Sequence, residues 1–193
     1  TESYTLPLHE ALPTESGTAT DAAGNVGTAS TIALNIDIGT PAIATGLTVT
    51  NNDVTPNVTV ANGGSTNDNT PVLSGSAEAN AIVTVYDGTT VLGSTTASGT
   101  GAWSFVSPVL SNGSPPLSVT VKDAAGNVSP SSTPVTITVD TVAPNTATLV
   151  ITNDVTNTTV ASGGSTNDTT PTLSGTAEAG GRVTIYDGTT TLG

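Results

Sequence analysis

Hydrophobic and polar residues alternate in short runs along most of the chain. In one such run Leu117, Val119 and Val121 are apolar and the residues between them are Ser and Thr. A period of two residues is typical of a β-strand with one buried face. Runs of this kind predict seven strands: one that includes Leu47 and Val49, then Pro71–Ala77, Ile82–Tyr86, Thr90–Thr96, Ala102–Val106, Leu117–Lys122 and Thr133–Val139.

Turn residues separate these runs, among them Asp87-Gly88 and the pair Gly99 and Gly101. Glycine at such positions allows the positive φ that tight turns need. Seven short strands joined by turns in about 100 residues are typical of a β-sandwich, and we predict an all-β fold. The composition agrees, because the chain is rich in Val and Thr and lacks Cys and Met, and β-branched residues favour strands.

The few aromatic residues fit a packing role. Trp103 and Phe105 are two positions apart and therefore lie on one face of their predicted strand. We expect Trp103 to anchor the core rather than to form a ligand platform. Tyr86 and Tyr186 end equivalent strands, and we expect them to pack at the rim of their modules.

An internal repeat is the strongest signal in the sequence. Residues 63–93 and 163–193 are related by an offset of 100, and 23 of these 31 positions are identical. Asp21–Val26 likewise recurs as Asp123–Val128, and Asn52–Val54 resembles Asn153–Val155. The repeat divides the chain into the C-terminal part of one module (1–40), a complete module (41–141) and the N-terminal half of a third (142–193).

The first copy departs from the repeat at its start. Glu15, Gly17 and Ala19 stand where the complete module has Leu117, Val119 and Val121, and the opening residues align with nothing else in the chain. We expect residues 1–16 to lie outside native module structure and to be disordered. The copy then returns to the pattern with Ile32, Leu34 and Ile36, followed by the linker Asp37–Pro41, which matches Asp140–Pro144.

An odd number of strands places the beginning and the end of a module at opposite poles. The modules then follow one another end to end, and the linker from the preceding module arrives at the N-terminal pole of the next. We expect two loops to lie at that pole, Ser76–Asn80 and Asp123–Asn127.

Charge suggests a cation at this pole. Lys and Arg number 2 against 15 acidic residues, giving a net charge of −13. Calcium takes six to eight oxygen ligands, and carboxylates and amide or backbone carbonyls supply them. We therefore expect calcium at the junctions between modules, with these ligands: Asp37, Glu78, Asp123 and Asn127 at the first junction, and Asp140 and Glu178 at the second. The alternative is that Asp123–Asn127 is a tight turn folded by its own side chains.

Several function classes are excluded or disfavoured. Nucleic acids and anionic membranes need clusters of Lys and Arg, which this chain does not have. The single histidine, His9, lies in the atypical start, so a Ser–His–Asp arrangement cannot form in the complete module. No apolar run has the roughly 20 residues that a membrane helix needs. We therefore expect no enzymatic activity and no membrane insertion.

The motifs together resemble a known family. Asp-Thr-Val-Ala-Pro (140–144), Asn-Asp-Thr-Thr-Pro (167–171), Leu-Ser-Gly-Thr-Ala-Glu (173–178), Gly-Ala-Trp-Ser-Phe (101–105) and Asp-Ala-Ala-Gly-Asn (123–127) are similar to segments of the bacterial immunoglobulin-like (Ig-like) repeats of giant surface adhesins and biofilm-associated proteins. The likeness covers residues 41–193 and roughly 17–40. It implies tandem Ig-like β-sandwich modules of about seven strands, type I secretion to the bacterial surface, and calcium at the junctions.

This resemblance implies a structural spacer in an adhesin that acts in cell adhesion or biofilm formation, with the neighbouring modules of the same polypeptide as its partners. Two alternatives remain open at this point. The modules could bind glycans or proteins of a host or bacterial surface themselves, or they could be accessory modules of a secreted polysaccharide-degrading enzyme. A glycan-binding module needs exposed aromatic residues on one surface, and aromatics make up only 3% of the chain.

Overall fold

A computed structural model describes residues 15–32 and 36–193. The described chain is all-β, as the alternation predicts, and contains no helix long and apolar enough to cross a membrane. It forms two compact units, one that ends at Thr141 and one that extends from Val142 to Gly193. Of residues 1–16, for which disorder is expected, 1–14 lie outside the described residues, as does Leu34. Glu15 and Ser16 are described and lie in a strand, so the expectation is wrong for these two residues.

The first unit opens with a hairpin of β1 (Glu15–Gly17) and β2 (Ser30–Ile32), in which Glu15 is paired with Ile32. The strands of the complete module follow: β3 (Thr45–Asn51), β4 (Val58–Val60), β5 (Ser65–Thr66), β6 (Val72–Ser76), β7 (Ile82–Asp87), β8 (Thr90–Thr96), β9 (Ala102–Val106), β10 (Pro116–Lys122), β11 (Val135–Thr136) and β12 (Thr138–Val139).

The module is a sandwich of two antiparallel four-stranded sheets, with strand orders β4-β3-β6-β9 and β11-β10-β7-β8. A short parallel pair, β5 with β12, lies beside them. Six of the predicted strands are confirmed with small shifts at their ends. The seventh, Thr133–Val139, is interrupted because its first part pairs with β10 and its second part pairs with β5.

Just before β11, serine side chains replace backbone carbonyls as hydrogen-bond acceptors for β10. The hydroxyls of Ser129 and Ser132 accept hydrogen bonds from the backbone N–H groups of Val121 and Val119, at 3.0 and 3.1 Å. Both serines are buried. Prolines 130 and 134 lie in the same segment and cannot donate a backbone hydrogen bond. The hydroxyls therefore satisfy the edge of β10 that an irregular, proline-containing segment leaves open.

The core lies between the inner faces of the two sheets. Alternate apolar positions are buried on β7 (Val83 and Val85) and on β10 (Leu117, Val119 and Val121), which is the period that the sequence shows. Trp103 is only 4% exposed and Phe105 packs against the same cluster, so the predicted core role of Trp103 is confirmed. The largest fully buried apolar side chains are Val49, Leu73, Val83, Val85, Leu117, Val119, Val121, Ile137 and Val139.

The second unit contains β13 (Val150–Asn153), β14 (Thr158–Val160) and β15 (Thr172–Ser174) in the order β14-β13-β15, and a hairpin of β16 (Tyr186–Asp187) and β17 (Thr190–Thr191). Ile151 of β13 is paired with Val160 and Leu173, as Val49 of β3 is paired with Val60 and Leu73. The second unit therefore repeats the pairing of β3 with β4 and β6 in the complete module. Tyr186 is 61% exposed, so the packing predicted for this residue is absent from the unit as described.

Candidate functional site: the N-terminal pole of the complete module

The loop Asp123–Asn127 is a tight turn between β10 and the segment that leads to β11. The backbone N–H of Asp123 donates to the carbonyl of Asn127 at 3.0 Å, and Lys122 bridges to Val128. Gly126 has φ +99°, which lies in the region that favours glycine. The turn that the sequence gives as the alternative to a calcium loop is therefore present.

Asp123 organises this turn through its carboxylate. Oδ1 accepts the backbone N–H groups of Gly126 and Asn127 at 2.7 and 2.8 Å, and Oδ2 accepts the side-chain amide of Asn127 at 2.8 Å. These bonds, above all the one from the Asn127 side chain, hold the pKa of Asp123 below its ordinary value. Burial of the carboxylate opposes that effect, and backbone donors of the loop reinforce it.

The same turn occurs in the first hairpin of the chain. Asp21 accepts the backbone N–H groups of Ala23 and Asn25 and the side-chain amide of Asn25, and Gly24 has φ +89°. The pKa of Asp21 is lowered, again chiefly by the asparagine side chain. Two copies with different surroundings thus fold alike, which shows that the five-residue motif encodes its own conformation.

Strand register brings the two predicted loops to one pole. Lys122, the last residue of β10, is paired with Ile82, the first residue of β7, and Thr45 at the start of β3 is paired with Ser76 at the end of β6. The loop that carries Glu78 and the loop that carries Asp123 therefore both lie at the N-terminal pole. The last strand ends at the opposite pole, where the backbone N–H of Asp140 donates to Thr66. The predicted polarity of the module is confirmed.

The preceding linker reaches this pole through Asp37. The side-chain amide nitrogen of Asn127 donates to the backbone carbonyl of Asp37 at 3.0 Å. The carboxylate of Asp37 turns back on its own linker and accepts the backbone N–H of Gly39 at 2.9 Å. Asn127 therefore donates one amide hydrogen to Asp123 within the turn and the other to the linker.

The remaining predicted ligands lie apart from this contact. Glu78 is exposed and lines a shallow groove with Ala42, Ile43 and Thr45. Within the described chain, no three acidic, histidine or cysteine side chains are grouped closely enough to form a metal site. Asp140 lies at the C-terminal pole, and Glu178 lies in a turn of the second unit, where its carbonyl accepts the N–H of Gly181.

These contacts determine which side-chain oxygen atoms remain free to bind a cation. Oδ1 of Asp123 already accepts two hydrogen bonds, whereas Oδ2 accepts one and retains a lone pair. Because both amide hydrogens of Asn127 are engaged, its Oδ1 is the atom that it can offer. With Oδ2 of Asp37, this makes three oxygen ligands from side chains. Calcium takes six to eight oxygens, so backbone carbonyls and water would have to supply the others.

A second polar network, at the C-terminal pole, is a feature that the sequence reading missed. The side-chain amide of Asn51 donates to Thr66 and Asn67 at 3.0 and 3.2 Å. Asp68 is fully buried and accepts the backbone N–H groups of Asn52 and Thr70 at 2.9 and 2.8 Å. The buried acid therefore fastens the end of β3 to the segment that leads into β6.

The second unit repeats this network, with one correction to the sequence alignment. Asn153 donates to Thr166 and Asn167, and Asp168 accepts the backbone N–H of Asp154. Asn153 therefore corresponds to Asn51, whereas the similarity of Asn52–Val54 to Asn153–Val155 is out of register by one residue. The pKa of Asp168 is lowered, chiefly by the backbone N–H of Thr170 and then by that of Asp154.

An asparagine also binds the segment that follows the last strand of the module. The side-chain oxygen of Asn112 accepts the backbone N–H and the hydroxyl of Thr141, at 3.2 and 2.9 Å. The backbones of Gly113 and Val139 exchange two hydrogen bonds beside it. The first residues after the last strand are therefore fixed to the module that they leave.

Comparison with known families matches residues 46–141 to the bacterial Ig-like domain. The match covers β3 from its second residue through β12, and it includes the segments that carry Asp68 and Asp123. A search of curated proteins finds no match to the chain.

Proposed function

We propose that the chain is a spacer segment in the stalk of a bacterial surface adhesin that acts in adhesion or biofilm formation, because residues 46–141 match the bacterial Ig-like domain. The supporting observation is the hydrogen bond from the Asn127 side chain to the carbonyl of Asp37. It joins the linker of one repeat to the first pole of the next, which is the contact that a stiff string of modules needs.

The placement of polar contacts supports this role. Asn127 holds the incoming linker and Asn112 holds the outgoing linker, at opposite poles of one sandwich. Asp37 and Asp140 begin equivalent linkers, so a junction between two complete modules would combine both contacts. The linker would then be restrained from both sides, and successive modules would keep a preferred angle.

The aromatic residues favour a spacer over a glycan-binding module. Trp103 is buried in the core and the ring of Tyr86 is half-buried. Stacking on sugars needs aromatic faces that are open to solvent. Within the described part of the complete module, no aromatic residue is exposed. The same argument disfavours a carbohydrate-binding accessory module of an enzyme.

Calcium at the N-terminal pole is the finer part of the proposal. Asp37, Asp123 and Asn127 meet there, and Glu78 lies in the neighbouring loop of the same pole. A divalent cation would draw the carboxylate of Asp37 from Gly39 toward Oδ2 of Asp123. It would also reduce the repulsion within a chain whose net charge is −13.

A distance measurement tests the spacer function and the cation separately. The chain contains no cysteine, so Thr28→Cys and Thr100→Cys, both at exposed positions, give one spin label in the first hairpin and one in the complete module. Pulsed electron paramagnetic resonance then reports the distribution of their distances. A spacer predicts a narrow distribution that Asn127→Ala broadens.

Calcium is tested by repeating this measurement with about 1 mM calcium and with a chelator. Narrowing by calcium that is lost in Asp37→Asn supports the cation site, and Asp87→Asn in a distant turn is the matched control. If calcium has no effect but Asn127→Ala still broadens the distribution, the cation is rejected and the spacer is retained. A distribution that is already broad in the parent chain contradicts the spacer.

A further inference from the structure

The complete module contains two Asn-Gly pairs, Asn62-Gly63 and Asn112-Gly113. An asparagine followed by glycine is especially prone to spontaneous loss of ammonia, because glycine has no side chain to hinder its own backbone nitrogen. All four residues are exposed to solvent, so water and base can reach them. Burial therefore protects neither pair, and their hydrogen bonds determine how stable they are.

The first pair is bound to residues 136–141, which we call the closing segment and which contains β12. The backbone N–H of Gly63 donates to the carbonyl of Thr136 at 2.7 Å. The side-chain oxygen of Asn62 accepts the backbone N–H of Thr136 at 2.8 Å. Both reacting groups of this pair, the glycine nitrogen and the asparagine carboxamide, are therefore held by one residue of the closing segment.

The second pair is bound to the same segment. The backbone N–H of Gly113 donates to the carbonyl of Val139 at 2.9 Å. The side-chain oxygen of Asn112 accepts the backbone N–H and the hydroxyl of Thr141, at 3.2 and 2.9 Å. Two Asn-Gly pairs that are distant in sequence therefore have their partners in one stretch of backbone.

The reaction open to an Asn-Gly pair needs only water. The backbone nitrogen of the glycine attacks Cγ of the asparagine and loses its proton to base. The new bond between nitrogen and Cγ closes a succinimide ring, the bond from Cγ to Nδ2 breaks, and ammonia leaves. Water then opens the ring at either carbonyl and gives aspartate or isoaspartate. In total, one amide and one water become one carboxylic acid and one ammonia.

The closing segment opposes this reaction at its first step. A glycine N–H that donates to a strand carbonyl is shielded from base, as it is in amide hydrogen exchange, until the structure opens locally. Donation to the asparagine oxygen holds the carboxamide in place, but by itself it polarises Cγ toward attack. The bond from the glycine N–H is therefore the contact that protects each pair.

We propose that Asn62 and Asn112 are modification sites guarded by the closing segment, stable while it is docked and converted to aspartate or isoaspartate when it detaches. Because both pairs contact the same segment, one opening exposes both. Isoaspartate adds a methylene group to the main chain and moves the glycine N–H away from its acceptor, so the segment cannot dock as before. A repeat thus keeps a permanent mark of having opened. This property rests on the fold alone and is independent of the spacer function and of calcium.

The second unit supplies a matched control for the first pair. Ser162-Gly163 stands there in place of Asn62-Gly63. Gly163 has φ +76°, close to the +81° of Gly63. The loop therefore keeps its conformation with serine, which cannot form a succinimide. Asn62→Ser removes the reactive amide and leaves a residue that this loop accepts.

Mass spectrometry of the intact chain tests the proposal. Folded chain is incubated in mildly alkaline buffer beside the same chain in denaturing urea, and both are digested with pepsin in acid, where the reaction is slow. Peptides that contain each asparagine give the fraction converted, and Asn62→Ser identifies the signal of the first pair. Val139→Ala weakens the packing of the closing segment, and Val83→Ala removes an equally buried side chain of β7 as the matched control.

We expect both pairs to convert at least about tenfold more slowly in the folded chain than in urea. Val139→Ala should accelerate both pairs together by about threefold or more. Val83→Ala should leave both rates within about twofold of the parent, because local opening of the closing segment does not disturb the packing of β7. Equal conversion in the folded and unfolded chain, acceleration of one pair only, or equal effects of the two variants would overturn the proposal.

Amide hydrogen exchange in the parent chain checks the proposal without any variant. The N–H groups of Gly63, Gly113 and Val139 should exchange through one opening and therefore report the same free energy of opening. Much faster exchange at Gly63 or Gly113 than at Val139 would show that the glycine N–H is released while the closing segment is docked. That result would refute the guarding role of the segment.

Discussion

The side-chain amide of Asn127 and the backbone carbonyl of Asp37, ninety positions apart in sequence, are joined by a hydrogen bond of 3.0 Å. Asn127 belongs to a turn at the N-terminal pole of the module and Asp37 begins the linker that precedes it. A single asparagine therefore takes part in the folding of its own turn and in fixing the previous segment. The contribution of these hydrogen bonds to stability can be measured.

Replacement of Asn127 should weaken both its own turn and the contact with the preceding linker. Asn127→Ala removes the bonds to Asp123 and to Asp37, and a net loss of about 1–2 kcal/mol in the free energy of unfolding is expected for the module. Asn25→Ala is the control, because Asn25 makes the equivalent bond to Asp21 in the exposed first hairpin. Urea unfolding followed by Trp103 fluorescence should show destabilisation by the first change and almost none by the second. Equal effects would contradict the role of Asn127 in the module.

Removal of the tryptophan should be among the most damaging single changes in the core. Trp103 is almost completely buried and fills the space over Gly75, so Trp103→Ala should cost roughly 3–5 kcal/mol through lost burial and a cavity. Ser104→Ala, one position away on the outer face, should cost less than about 0.5 kcal/mol. Chemical denaturation followed by circular dichroism compares the two, since the first variant lacks the fluorescent reporter.

Gly75→Ala tests the same contact from the other side. The added methyl group would lie 2.9 Å from the carbonyl oxygen of Thr45, which is closer than packed atoms allow, and 3.0 Å from the ring of Trp103, which would have to move slightly. A destabilisation of about 1–3 kcal/mol is expected from this overpacking. Gly99→Ala is the matched control, because a Cβ there meets nothing within 4 Å. A stable Gly75→Ala variant with an unshifted Trp103 emission would refute the close packing.

The buried acid at the C-terminal pole should be structural. Asp68→Ala leaves the backbone N–H groups of Asn52 and Thr70 without their acceptor, and a loss on the order of 3 kcal/mol is expected when buried donors are unsatisfied. Asp53→Ala, an exposed acid in the adjoining turn, is the control and should be nearly neutral. Thermal unfolding in the presence of chelator separates this effect from any bound cation.

Acid should weaken the turn at the N-terminal pole. The pKa of Asp123 is lowered from 3.8 when the chain is folded, so its carboxylate stabilises the fold fully above the unfolded pKa. That stabilisation is lost as the pH falls below about 3.8 toward the folded value. Melting temperatures measured from pH 6 to pH 2.5 should fall less steeply in Asp123→Asn than in the parent chain. Parallel curves would mean that Asp123 does not contribute to the acid dependence.

Much of the module could be predicted from local patterns. The alternation of Leu117, Val119 and Val121 gives both the strand and its buried face, since strand side chains alternate between faces regardless of which strand lies alongside. The motif Asp123–Asn127 encodes its turn in the same local way, as its second copy at Asp21–Asn25 demonstrates. The short strands β4 and β5 escaped prediction because two or three residues are too few to display a period.

What the sequence by itself determined is the all-β character, the repeat, the core face of each strand and the self-contained turns, because these depend on neighbours in the chain. The tertiary structure alone decided that the last strand passes from β10 to β5, that Asn51 rather than Asn52 corresponds to Asn153, and that Asn127 reaches Asp37. Each of these pairs residues that are distant in sequence. Their partners are selected by the geometry of the closed sandwich and by the need to satisfy buried polar groups, neither of which a local pattern records.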